Sequence, residues 1–242
     1  VLRFFFKLWG IRVAVIDKGR KEKQELTSRR AKVLRPLRSS FERYGEVFVS
    51  LGVSFVPNFV SLYDEGVGDE GLYSELTPPK SSGERWIGVA PFAKHKGKIY
   101  PLDRMEKVVS KLSEESRVKI FLFGSGDRER EILSLWRERY PGVISLADKR
   151  YGFAVELSLM SRLDVMISMD SANMHLASLV EVPVVSVWGA THPYCGFLGW
   201  RQSDSGVVEL PLDCRPCSVF GNKPCYRKDY ACLEIAPETI VD

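Results

Sequence analysis

The sequence predicts an α/β protein built on a mainly parallel sheet, and three observations predict it. From residue 86 onward, short runs of β-branched and aliphatic residues alternate with amphipathic stretches of helical period; that alternation is the signature of βαβ units with helices on both faces of the sheet. Glycine-bearing or basic loops follow several of these strands, at the carboxyl ends where such sheets bind ligands. The 242 residues are 45% hydrophobic and 27% charged, an ordinary globular composition that excludes a disordered or fibrous chain.

Before that alternation, residues 2–9 read as a short apolar helix stopped by Gly10, and 11–17 (IRVAVID) as a β-branched strand. Phe41, Tyr44, Val47, Phe48 and Leu51 recur at helical spacing and predict a helix over 40–51, with Gly52 as its stop. Residues 61–84 are rich in Gly, Pro, Ser and acidic side chains without periodicity, the composition of a linker or surface excursion. The chain therefore divides into 1–75 and 76–242. In the second part, strands are expected at 86–90, 118–123, 143–146, 164–169 and 183–188, with helices at 102–115, 127–139, 153–161 and from about 171.

No apolar run reaches the about 18 residues that span a bilayer, so the expected location is the cytoplasm. The net charge of +4 is uneven: segment 18–38 holds nine Lys or Arg against Glu22 and Glu25. Such a segment is either a solvated basic loop or a face that meets anions. Nucleic acid is not expected, because no aromatic residues are interleaved with the cluster and no nucleic-acid motif accompanies it.

Three strand-end loops are candidates for a ligand site. In PFAKHKGKIYP (91–101), Lys94, His95, Lys96 and Lys98 could offset the charge of a phosphate. In FGSGDRERE (123–131), Gly126 permits close backbone approach and Glu129 stands where a dinucleotide fingerprint has its third glycine, so a dinucleotide site is disfavoured. In MDSANMHLAS (169–178), Asp170 or Ser171 can cap a helix whose first N–H groups form an anion site, with His175 one turn on.

The string DSANMHLASLVEVPVVSVWGATHP resembles the nucleotide-sugar motif of glycosyltransferase family 9, the ADP-heptose:lipopolysaccharide heptosyltransferases, which read D-[ST]-G-x-x-H-[LI]-A followed by a strand and a G-x-T or G-A-T turn. APFAKHKGKIYPLDRMEKVV, FLFGSGDRERE, FERYGEVFVSLG and the CRPC…C…CL tail carry the same resemblance in the same order. It implies a GT-B architecture of two Rossmann-like domains, the N-terminal one incomplete here, with the nucleotide sugar held by the C-terminal one. It implies Lys98 as the phosphate-contacting lysine, Lys94 and His95 in the phosphate loop, and Asp170 against the sugar. Ser171, Ala172 and Asn173 would offer backbone donors to the diphosphate and His175 would support the same oxygens, with Gly126 and Glu129 nearer the nucleoside. Position 172 departs from the family glycine, and a positive φ there would strain alanine.

The implied reaction is inverting, metal-independent transfer from an ADP-sugar donor to an anionic lipopolysaccharide-type glycolipid, at the cytoplasmic face of the inner membrane. No cofactor is implied, and the general base is expected upstream of Val1; Asp17 is not assigned that role. The readings that compete are another GT-B nucleotide-sugar enzyme, such as an epimerase or a phosphorylase, and a non-catalytic nucleotide-binding module.

Cys214, Cys217, Cys225 and Cys232 form C-x2-C-x7-C-x6-C. Structural zinc usually takes two short knuckles and only the first pair supplies one, so spacing alone favours buried thiols over zinc, and a disulfide is disfavoured in a reducing compartment. No metal is assigned on that basis.

Overall fold

The computed structural model describes residues 2–54 and 56–242; Val1 and Phe55, both within the predicted first part, lie outside the described residues. Six parallel strands, β1 (Arg85–Ala90), β2 (Val118–Leu122), β3 (Val143–Ser145), β4 (Val165–Met169), β5 (Val184–Trp188) and β6 (Val207–Glu209), form one sheet in the order β3-β2-β1-β4-β5-β6. The order reverses between β1 and β4, which opens a crevice at their carboxyl ends. The first five strands match the sequence expectation to within two residues at either end.

Both faces of the sheet are covered, as a parallel sheet requires. Helices α4 (Leu102–Ser113) and α5 (Asp127–Arg139) cover one face; Met105, Val108, Val109 and Leu112 of α4 meet Ile87, Val89, Ile120, Leu122 and Ile167. The other face holds α6 (Phe153–Met160) and α7 (Ala172–Leu179), whose Leu159, Met174 and Ala177 pack with Trp86, Phe121, Met166 and Trp188. On β1, Trp86 and Ala90 thus serve one cluster while Ile87 and Val89 serve the other, the period-2 alternation of a strand buried on both sides. Between them Gly88 has no room for a Cβ, which would run into Met166 Sδ and Leu163 Cδ1.

Three elements depart from expectation. Residues 11–17 are irregular: a strand needs a neighbouring strand to take its N–H and C=O groups, and among the described residues no strand pairs with this run. The basic segment is no plain loop, because α2 (Arg20–Leu26) forms within it and buries Leu26. One of its carboxylates is engaged: Glu22 accepts at 2.6 Å from Arg43 of α3 (Ser40–Ser50), which is 2% exposed and also donates to the Asp17 carbonyl at 3.1 Å. Strand β6 was not expected at all. Around the sheet's edge, segment 61–84 is mostly exposed but pinned to α6 and the sheet: Gly68 N–H donates to Ser161 Oγ at 2.8 Å and Tyr73 is buried against Trp86. The short α1 (Leu2–Leu8) and α8 (Glu238–Val241) complete the helices described. None of them is long and apolar enough to cross a membrane.

Candidate active site

The loops after β1, β4 and β5 meet at the crevice. After β1 the chain makes a 3-10 turn over Lys96–Lys98, entered through His95, whose carbonyl accepts from Lys98 N–H at 2.9 Å. After β5 comes Gly189, where a Cβ would lie 2.5 Å from the Gly97 carbonyl oxygen. Bare backbone on both sides lets the two loops dock, with Ala190 N–H donating to Gly97 O at 2.8 Å.

That docking aims Lys98 across the end of β4. Its Nζ lies 2.8 Å from Asp170 Oδ2, with side chains 15% and 5% exposed. The contact is an ion pair without hydrogen-bond alignment, and Asp170 Oδ2, fully buried, has no hydrogen-bond donor among the described residues. An ammonium has three protons, so Lys98 can hold the carboxylate and a ligand oxygen together.

Asp170 leads into α7. Ser171 occupies the N-cap position but makes no side-chain cap; its Oγ sits 3.3 Å from Ser168 Oγ instead. The expectation that Asp170 or Ser171 caps this helix is therefore corrected: the side chain of Ser171 turns to its strand neighbour, and the first-turn N–H groups at Ala172 and Asn173 are left for another acceptor. His175, on the second turn and half-buried, has its pKa lowered by burial, with Asp170 raising it and Lys98 lowering it further. Lys98, Asp170, the open helix end and the His175 imidazole thus belong to one neighbourhood, suited to an anion that needs several convergent donors.

The remaining predicted residues are placed differently. Lys94 is exposed and His95 is half-buried beside it. Lys96 turns away, its Nζ 5.1 Å above the Tyr230 ring. Gly126 precedes α5 with φ 85° and ψ 164°, a region essentially reserved for glycine. Glu129 uses Oε2 to accept the Ser125 N–H at 2.8 Å, so it braces the glycine turn and keeps one oxygen for a ligand. This turn stands one strand over from Lys98, linked through Phe92, which a Cβ on Gly124 would touch at 3.4 Å.

The family model described as Glycosyltransferase family 9 (heptosyltransferase) matches residues 68–225, well over half of the chain. The chain belongs to glycosyltransferase family 9. Over 165 residues it is 26% identical to lipooligosaccharide heptosyltransferase 2 of Campylobacter jejuni subsp. jejuni serotype O:2, a match covering 66% of this chain and 50% of that protein. The chain thus spans about half the length of the curated relatives it matches. Its fold is shared with the crystal structure of a family 9 glycosyl transferase from Veillonella parvula, at TM-score 0.67 and 17% identity over 98% of this chain and 63% of the other. It is shared also with the E. coli heptosyltransferase WaaC with ADP-2-deoxy-2-fluoro heptose, at TM-score 0.54 and 16% identity over 78% and 55% of the two chains.

In this family 9 chain the alanine at 172 carries no strain. Among the described residues the non-glycine ones with positive φ are Glu181, Arg201, Lys228 and Tyr230, and Ala172 simply starts α7. Two residues at the crevice escaped the sequence. Arg215, 3% exposed, ties down the turn after β5 by donating to the carbonyls of Gly189 and Thr191 and to Glu209 Oε2. Thr191 is fully buried, and its Oγ1 has no hydrogen-bond partner among the described residues. The G-A-T-H-P string pointed at the Thr191 turn, but nothing in the spacing pointed at Arg215.

Proposed function

We propose that this chain is the donor-binding part of an inverting, metal-independent glycosyltransferase that takes heptose from ADP-heptose and passes it to a lipopolysaccharide core or related anionic glycan. The observation that carries this reading is the Lys98–Asp170 pair set against the uncapped start of α7. The WaaC structure named above holds an ADP-heptose analogue, which supports the same donor class here.

In this reading the diphosphate sits on the N–H groups of Ser171, Ala172 and Asn173, with Lys98 and His175 on its oxygens and Asp170 on sugar hydroxyls. As the acceptor hydroxyl attacks the anomeric carbon, the bond to the phosphate oxygen breaks and negative charge grows on the leaving diphosphate. Lys98 and the helix end already face that charge, so stabilising it costs little reorganisation. Lys94 and His95 lie where they attract the anionic donor, and Gly126 and Glu129 border the nucleoside. The acceptor's proton is not assigned to Asp170, which is paired with Lys98, or to Asp17, which accepts from Gly19 N–H and Arg38. The exposed part of the basic segment, including Lys21, Arg30 and Arg35, suits an acceptor carrying phosphates at the cytoplasmic face of the inner membrane.

Calorimetric titration with ADP, UDP, GDP and ADP-heptose tests the reading. ADP and its sugar are expected to bind most tightly. No binding by any of them, or unchanged affinity in Lys98→Met and His175→Gln, refutes it.

A further inference from the structure

We propose that Lys23, Phe197 and Phe220 form a second subsite beside the Lys98–Asp170 pair, and that it takes an acidic sugar, a pyranose ring carrying a carboxylate or a phosphate. The Lys23 ammonium meets the anion, and the rings meet the apolar face of the sugar. Assigning that sugar to the acceptor rests on the proposed function; the subsite itself does not.

Lys23 belongs to α2, in the basic segment, and its place at the crevice is fixed by the fold. Helix α2 starts after Gly19, at φ 58°, where a Cβ would run into the Arg43 guanidinium. Leu26 is fully buried and Glu22 is held by Arg43, which sets the face the helix turns inward. Farther along, Lys32 Nζ donates to the carbonyls of Arg215 and Pro216 at 2.7 and 3.1 Å. Leu37 N–H donates to the Tyr194 carbonyl and Ser40 N–H to that of Gly196, each at 3.0 Å. Gly196 permits this approach, since a Cβ there would lie 2.5 Å from the Arg38 carbonyl oxygen. The basic segment is thereby tied to the stretch after β5 that carries Cys195 and Phe197.

Contacts run unbroken from Lys23 to Lys98. Lys23 Nζ sits 4.6 Å from the centroid of the Phe197 ring. Phe197, half-buried, lies 5.6 Å from the Phe220 ring at an interplanar angle of 32°. Phe220 is followed by Gly221, where a Cβ would meet Lys98 Cγ at 2.7 Å. The buried Cys195 belongs to the same neighbourhood. Burial pushes its thiol up to about 11 and Asp170 adds to that, while the His192 backbone, Lys23 and Lys98 act against it.

Two features here have no use inside the chain. Lys23 rests on the Phe197 ring but makes no ion pair and no side-chain hydrogen bond among the described residues. Partial burial lowers its pKa and Arg43 lowers it further, against Cys195, Glu22 and Asp17, so an arriving anion would relieve an uncompensated cation. Phe220 is 54% exposed, an aromatic face open to solvent next to Gly221. The negative face of such a ring receives the polarised C–H groups of a pyranose. A sugar stacked there brings its carboxylate or phosphate to Lys23 for a charge-assisted hydrogen bond. A neutral sugar gains the stacking alone.

Amide-shift titrations of the isotope-labelled full chain, with and without saturating ADP, use three probes: methyl glucuronide, glucose 6-phosphate and methyl glucoside. The expected result is saturable shifts at Lys23, Cys195, Phe197 and Gly221, with the acidic sugars about three- to tenfold tighter than the glucoside. The tighter of the two acids says whether carboxylate or phosphate is preferred. Lys23→Met is expected to bring the acidic sugars down to the level of the glucoside, and Lys23→Arg to keep them within about twofold of the wild type. Phe220→Ala is expected to weaken all three probes by about two- to tenfold. None of these variants is expected to change ADP affinity. Equal affinity for acidic and neutral sugars in the wild type overturns the subsite, and that comparison decides even where a variant fails to fold. Unchanged binding of the acidic sugars in Lys23→Met, or no saturable shifts with any probe, overturns it as well. Lys23-dependent sugar binding by a chain that does not bind ADP supports the subsite and counts against the proposed function instead.

Discussion

Replacing Lys98 with Met removes the ammonium while keeping an apolar stem against Gly221, and the structure sets the size of both consequences. Asp170 is left with its side chain 5% exposed and without a donor on Oδ2. Removing one partner of a buried pair costs about 3–5 kcal/mol, and since Lys98 retains 15% exposure, about 2–3 kcal/mol is expected here. For a chain of this size that lowers Tm by roughly 4–12 °C. A charge-assisted hydrogen bond to phosphate contributes about 1.5–3 kcal/mol, so ADP affinity should fall by about 10- to 150-fold. Urea titration and calorimetry on the wild type, Lys98→Met, Asp170→Asn and the double variant separate the two effects. The double variant should regain most of the stability lost in Lys98→Met, because the orphaned charge is gone, but none of the ADP affinity. If Lys98→Met loses stability and binds ADP as the wild type does, the lysine is structural and the phosphate role is refuted.

Three further outcomes follow from the geometry. Ala172→Gly should cost at most about 1 kcal/mol of helix stability and change ADP affinity less than about twofold; a gain in stability would mean that Ala172 is strained after all. Gly126→Ala forces a Cβ into a glycine-only conformation and should destabilise by about 1–3 kcal/mol by urea unfolding, and a neutral result would contradict the described turn. The pKa of His175 is lowered by burial, so the unfolded chain takes up its proton first as pH falls. The stability it contributes is complete above the ordinary value of 6.5 and declines as pH drops below it, an acid-side slope that His175→Gln should flatten. An identical slope in that variant would show that other groups carry it.

How much of this was legible in the sequence depended on what each signal reports. Strands β1 to β5 were readable because a strand buried on both faces writes a continuous apolar run. Strand β6 is three residues beside a Gly-Ser loop and carries too little pattern to stand out. The run 11–17 has strand composition but no neighbour to bond, and composition does not report partners. Helix α2 hid in a basic cluster because it buries only Leu26, while Lys32 and Arg43 act on residues distant in sequence. Lys98, Asp170 and His175 were readable together because parallel strands deliver their following loops to one edge. The resemblance set Glu129 near the nucleoside by position; its bond to Ser125 N–H is a matter of rotamer. Arg215 works through carbonyls brought near only by folding.

The central claim is that the start of α7 and Lys98 hold a nucleoside diphosphate, and amide chemical-shift mapping of the isotope-labelled chain during ADP titration tests it most directly. The predicted result is saturable shifts centred on the amides of Ser171 to His175 and of Gly97 and Lys98, with smaller ones at Ser125 and Gly126. Shifts centred elsewhere, for instance on the groove at the opposite strand ends lined by Val60, Glu181 and Trp200, or no saturable shifts at all, would contradict it.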